Sequence, residues 1–243
     1  MKSFKILGLL LSYPEKDLME NLGLLMETLD QEALLPLRSR KKIAAFISEL
    51  SAKDLYQAQE DYVELFDRGR SHCLHLFEHI HGESRDRGQA MVDLGEVYAK
   101  SGFYVSGGEM PDYLPMFLEY LSLIAADEAV SLLGETISIL ATIGARLKKR
   151  GAPYAVVFAA LQSLSKVKVD PAIIEAALSE PEEDQSPEAI DKEWEEASAF
   201  DNGELAAADC GSCNAFPNAS EELSRMTPDS SPDIGQHRLN GGF

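Results

Sequence analysis

Apolar side chains recur at three- and four-residue steps from residue 2 to about residue 179, the period of helices with one buried face. Leu55, Ala58, Tyr62 and Leu65 form one stripe, and Leu114, Phe117, Leu118, Leu121 and Ile124 form another. The longest joins Val130, Leu133, Ile137, Leu140, Gly144 and Leu147 over about five turns. It runs into Lys148-Lys149-Arg150-Gly151, where cations suit the negative end of a helix and glycine suits the left-handed residue beyond it. Asp127 is the expected N-cap. No stretch shows a convincing period-two alternation of β-branched residues. Breaks are expected at Tyr13-Pro14, near Leu35-Pro36, at Asp67-Arg68-Gly69, across His81 to Ser84, and across Ser101 to Met110, which holds Gly102, Gly107 and Gly108. The pattern predicts an all-α fold, about eight to ten helices in one bundle-like domain over residues 1–179.

The character of the chain changes after Leu178. From Glu180 onward it is rich in Pro, Ser, Asp, Glu, Asn and Gly, with scattered aliphatics. One short acidic helix carrying Trp194 could form between Pro187 and Phe200. The rest has too little apolar surface to offset the entropy of ordering it, so residues 180–243 are expected to be an acidic, largely disordered tail. That tail holds 16 Asp/Glu against 3 Lys/Arg, and residues 1–179 hold 25 against 19. No basic stripe outweighs the carboxylates, which argues against nucleic acid as a partner and favours a basic peptide.

The apolar run Ile6 to Leu11 is short for a secretory signal, and no small-residue cleavage site follows. Ser12 and Glu15 are expected to form a capping box around Pro14 that starts a second helix. No run approaches the roughly 20 apolar residues of a transmembrane helix. With three cysteines and no export signal, the expectation is a cytoplasmic protein in a reducing compartment.

Chemistry-bearing residues are densest in Ser71-His72-Cys73-Leu74-His75, followed by Phe77-Glu78-His79-Ile80-His81-Gly82-Glu83. Placed on a helix, His75 and His79 share a face at metal-pair spacing, with Glu78 adjacent and His72 one turn earlier. A metal-dependent enzyme using His72, His75 and His79 is therefore the alternative reading. A catalytic zinc also needs an open coordination position, and a helix with partly exposed histidines is the plainer account. Cys73 reads as a small packed residue. Cys210-Gly-Ser-Cys213 supplies only two of four metal ligands and lies in the acidic tail, so neither metal nor catalytic residue is assigned. Phosphate-binding glycine loops and a Gly-x-Ser-x-Gly nucleophile motif are missing. On the helix expected around Asp112 to Glu119, Leu114, Phe117, Leu118 and Leu121 point inward while Asp112 and Glu119 share the opposite side. Upstream, Tyr62, Phe66 and Phe77 place aromatic groups beside charged turns.

Four segments, Leu10 to Pro14, Asp61 to Arg70, Leu76 to Leu94, and Glu109 to Leu121, together resemble the delta-subunit assembly chaperone family of respiratory nitrate reductase. Within the third, Phe77, Glu78, His79, His81, Gly82, Glu83, Arg85, Asp86, Arg87 and Gly88 form a long run of unusual composition. The resemblance spans about residues 3–180 and places the chain with the redox-enzyme maturation chaperones that serve molybdoenzymes. It implies an all-helical, non-enzymatic protein of the cytoplasm that supports anaerobic respiration on nitrate. It implies binding to the N-terminal peptide of the nitrate reductase catalytic (alpha) subunit, help with inserting its molybdenum cofactor and iron–sulfur cluster, and release before membrane attachment. It implies no permanently bound cofactor, leaving open transient contact with the client's molybdenum cofactor and with the proteins that synthesise it. Tyr113 stands where the family has histidine in Pro-Asp-His. Carried over position by position, Tyr62, Phe66, Asp112, Pro115 and Glu119 are the expected peptide contacts.

Overall fold

The computed structural model describes residues 1–179 except 69, 83, 106 and 107. The expected acidic tail, the helix around Trp194, Cys210, Cys213 and motif residue Glu83 lie outside the described residues.

Eleven α-helices follow one another there. They are α1 (Lys2–Leu10), α2 (Lys16–Glu20), α3 (Leu22–Glu32), α4 (Leu37–Ser51), α5 (Leu55–Phe66), α6 (Glu78–His81), α7 (Arg85–Lys100), α8 (Leu114–Leu123), α9 (Ala126–Arg150), α10 (Ala155–Leu164) and α11 (Pro171–Ser179). A single 3-10 turn covers Arg70–His72 between α5 and α6. The count exceeds the expected eight to ten because α2 and α6 are single turns of five and four residues, too short to leave a periodic signal. No strand occurs among the described residues, so the all-α expectation holds. One isolated antiparallel bridge pairs His75 with Tyr113.

The long apolar stripe becomes the inner face of α9, where Leu133, Ile137, Leu140, Gly144 and Leu147 are buried. This face packs against α8 and α10, and α11 also packs on α9. Gly144 is required here: a Cβ on it would come within 2.8 Å of the Phe158 Cβ on α10. The helix stops as expected, at Gly151 in the left-handed region (φ 76°). Its start is different. Ala125 is the N-cap, and Asp127 lies inside the first turn, where its charge favours the helix dipole without capping a backbone amide. Contrary to the sequence expectation, α9 contains a window of mean hydropathy 1.4, long and apolar enough by composition to cross a membrane. Its apolar face is the protein core.

Helix α1 lies along α8 and also touches α3 and α10. Its backbone comes close: a Cβ at Gly8 would sit 3.0 Å from the Pro115 carbonyl oxygen and 3.2 Å from the Leu118 Cβ. The N-terminal ammonium donates to the Ser122 carbonyl at 2.8 Å. Glu32, the last residue of α3, accepts from the Lys2 and Ser3 amides at 2.8 and 2.6 Å. A residue 29 positions away thus satisfies donors that a helix N-terminus leaves open. The expected capping box is absent. Ser12 Oγ donates back to the Gly8 carbonyl, and α2 starts after Glu15 with no side-chain cap. Side-chain caps occur instead at Asp54, which accepts from Gln57 N, and at Ser84, which accepts from Asp86 N.

Candidate functional site

Helix α5 sends Tyr62 and Phe66 from the core toward a cavity of about 590 Å³. Asp67 and Arg70 follow on the turn that leaves α5. Cys73, Leu74, His75 and Glu78 supply a second wall, Tyr13 reaches in from the link after α1, and Glu109 and Tyr113 come from the segment before α8. Tyr13 stands edge-on to Tyr62 with ring centroids 5.6 Å apart, and Tyr62 meets Phe66 at 4.9 Å. Phe66 meets Tyr154 at 5.0 Å, so the aromatic row continues from the cavity into the core. Edge-to-face pairs of this kind add to the stability gained from their burial.

Two crossing segments fix the wall that contains His75 and Tyr113. Leu76 N donates to the Asp112 carbonyl at 3.0 Å, and Leu114 N donates to the Leu74 carbonyl at 2.8 Å. Asp112 holds the crossing from behind. Its side chain is fully buried; one carboxylate oxygen lies 3.1 Å from His75 Nδ1 and the other accepts from Phe77 N at 3.2 Å. Arg87 approaches that carboxylate at 3.8 Å and Glu78 at 3.3 Å. Burial alone would raise the Asp112 pKa, but the His75 hydrogen bond and charge, the Phe77 amide and Arg87 hold it below the usual carboxylate value. The carboxylate is therefore a structural anion. It is no proton donor at neutral pH.

The other polar groups are similarly committed. Tyr62 donates its hydroxyl proton to the Leu11 carbonyl at 2.9 Å. A hydroxyl carries one proton, so Tyr113, 3.2 Å away, must be the donor between the two phenols. His79 donates from Nε2 to the Cys73 carbonyl at 2.8 Å, and burial lowers its pKa, keeping the ring neutral. Burial pushes the Cys73 thiol up to about 11, far from the depressed value that makes a cysteine nucleophilic.

The structure overturns the helical reading of the histidines. His75 lies before α6 in the crossing segment, so it does not share a helix face with His79. Its Nδ1 faces Asp112, His79 faces a backbone carbonyl, and His72 is buried with Nδ1 3.1 Å from Ser71 Oγ. Among the described residues no group of three His, Cys, Asp or Glu side chains is placed to hold a metal. The proposed metal set therefore has no geometric basis.

The five expected contacts separate. Tyr62 and Phe66 line the cavity. Asp112 supports its wall and does not share an exposed face with Glu119, because α8 begins only at Leu114 and the carboxylate turns inward. Pro115 is buried in the seam with α1. Glu119 pairs with Lys5 at 2.8 Å. In the motif from Phe77 to Gly88, Phe77 joins the Asp112 anchor, Glu78 reaches the cavity, and the His81 ring meets Phe77 at 5.9 Å. Gly82 ends α6 at φ 54°, Arg85, Asp86 and Gly88 open α7, and Arg87 bridges Glu78 and Asp112. The sequence reading missed Tyr13, Asp67, Arg70, Glu109 and Tyr113 as lining residues. All five lie inside the family-like segments, so those segments carried the signal without the geometry.

Residues 21–160 match the family described as nitrate reductase delta subunit. The chain belongs to that family. It is 40% identical over 191 residues to the nitrate reductase molybdenum cofactor assembly chaperone NarJ of Escherichia coli (strain K12), covering 79% of this chain and 81% of that one. The probable nitrate reductase molybdenum cofactor assembly chaperone NarW of the same organism is 36% identical over 243 residues, the full length of both chains. The probable assembly chaperone NarJ of Bacillus subtilis (strain 168) is 29% identical over 170 residues, 67% of this chain and 89% of that one.

Proposed function

We propose that this protein is a non-enzymatic assembly chaperone for nitrate reductase that works in the cytoplasm and holds the N-terminal segment of the catalytic (alpha) subunit in the cavity between α5 and the start of α8. It keeps that subunit available while the molybdenum cofactor and the iron–sulfur cluster are inserted, and releases it before membrane attachment. The observation that carries this reading is the cavity itself. Buried Tyr62 and Phe66 and half-buried Tyr113 line it together with exposed Asp67, Arg70 and Glu109. The named relatives support the client, since they are nitrate reductase molybdenum cofactor assembly chaperones.

A short amphipathic helix laid into such a site would anchor through side chains at steps of three and four. Three buried anchors contribute roughly 5–9 kcal/mol, and ordering the peptide costs about 2–5 kcal/mol. Lost rigid-body freedom lowers the net further. Reversible binding is the consequence, and a protein that must release its client needs it. Calorimetry of the full chain with a synthetic peptide from the alpha-subunit N-terminus tests the proposal. Saturable heat at micromolar concentrations is expected, and none at tens of micromolar would contradict it.

A further inference from the structure

The lining of the cavity is more specific than a greasy slot requires. Four aromatic rings, Tyr13, Tyr62, Phe66 and Tyr113, border one space, and two exposed carboxylates, Asp67 and Glu109, line it with them. Ring faces carry negative charge density and attract a cation placed over them, most strongly when water is excluded. Among the described residues, no cation pairs with Asp67 or Glu109. Arg70 lines the same cavity, but its Nε lies 4.0 Å from Glu78, whose other oxygen is held by Arg87. Asp67 and Glu109 are the exposed carboxylates of the lining, and Glu78 is half-buried between the two arginines.

We infer that the cavity seats one lysine or arginine side chain of the client, with its aliphatic stem along Phe66 and Tyr62 and its charged head between Tyr13, Tyr113 and the two carboxylates. This rests on the function proposed above and specifies what the client must present. A purely apolar anchor would desolvate two carboxylates without giving either a partner, which is costly. A lysine or arginine stem buries well against rings while its head stays polar. Arginine should outrank lysine, because its flat guanidinium can stack on a ring while donating to a carboxylate.

The test is a double-mutant cycle by calorimetry on the full chain. The probe is the client's N-terminal peptide, with each arginine in turn replaced by citrulline and each lysine by norleucine. Its partners are the unaltered protein and the Asp67→Asn, Glu109→Gln double variant. Both acids are exposed, so the variant should fold, and its circular dichroism checks that. One neutralised position is expected to weaken binding to the unaltered protein about tenfold, and to have an effect within about twofold on the double variant. Equal losses on both proteins, or no basic position that matters, would overturn the cationic anchor while leaving the chaperone reading intact. A leading segment without Lys or Arg would overturn it too. If the unmodified peptide fails to bind, the chaperone reading falls and this inference falls with it.

Discussion

The seam between α1 and α8 and the cavity beside it are built from neighbouring residues, yet they solve opposite problems. In the seam, Gly8 admits the Pro115 backbone to contact distance, and Phe4, Leu7, Leu11 and Leu118 are fully buried. Packing there is closed and self-sufficient. In the cavity, rings of similar size line an open space, and the polar groups behind them are satisfied by Leu11, Asp112 and backbone amides. Four consecutive residues divide between the two regions. Asp112 anchors the cavity wall, Tyr113 faces the cavity, Leu114 enters the core and Pro115 closes the seam. A closed contact of this kind stabilises the chain. The open one is shaped in advance for something else.

The largest break in that comparison should come from Asp112→Ala. It leaves His75 and the Phe77 amide without their buried acceptor and Arg87 with Glu78 alone, and each hydrogen bond lost to a charged group costs about 1.5–3 kcal/mol. Urea unfolding would show the loss, and peptide affinity should fall as the wall loosens. Gly8→Val attacks the seam alone. Overpacking against Pro115 should cost about 1–3 kcal/mol in the same measurement. Binding measured at temperatures where the variant is folded should be unchanged.

Glu32→Gln weakens the cap on α1 and should cost about 1 kcal/mol. The pH dependence has a definite sign. Burial opposes ionisation of Glu32 and Asp112, but hydrogen bonds from Ser3 and His75 and the neighbouring charges outweigh it, so both pKa values lie below their ordinary 4.5 and 3.8. Their stabilisation is complete above those ordinary values and is lost as pH falls through the lower, folded-state values. Thermal melts should therefore decline below about pH 4, with a smaller decline in the Glu32→Gln variant. The smallest effect belongs to Glu119→Gln. Its pair with Lys5 is about half exposed on both sides, and such pairs contribute roughly 0–1 kcal/mol. Calorimetry should find peptide affinity unaltered, because Glu119 lies outside the cavity.

Periodic apolar stripes made the helical body legible, and the breaks at Tyr13-Pro14, Leu35-Pro36 and Ser101 to Met110 lie in the links that follow α1, α3 and α7. Local chemistry failed where a distant residue decides the outcome. The seven-residue spacing of Asp112 and Glu119 suggested one helix face. Pro115, however, stands in the first turn of α8, where its missing N–H costs nothing. Asp112 is left in the preceding segment, paired with a histidine 37 positions earlier. His75 and His79 misled in the same way, because four-residue spacing describes a shared face only if the intervening backbone is helical. The cap on α1 was hidden for the same reason, since Glu32 reaches it from another helix. Tyr13 is visible in sequence as an aromatic beside proline, but only the packing of α1 against the core brings it over Tyr62.

Isotope-filtered NMR of the full chain bound to the client's N-terminal peptide asks most directly whether the open region is the binding site. Intermolecular contacts are expected from peptide side chains to the rings of Tyr13, Tyr62, Phe66 and Tyr113. Contacts confined to other surfaces, with these four rings unperturbed, would rule the open region out as the binding site.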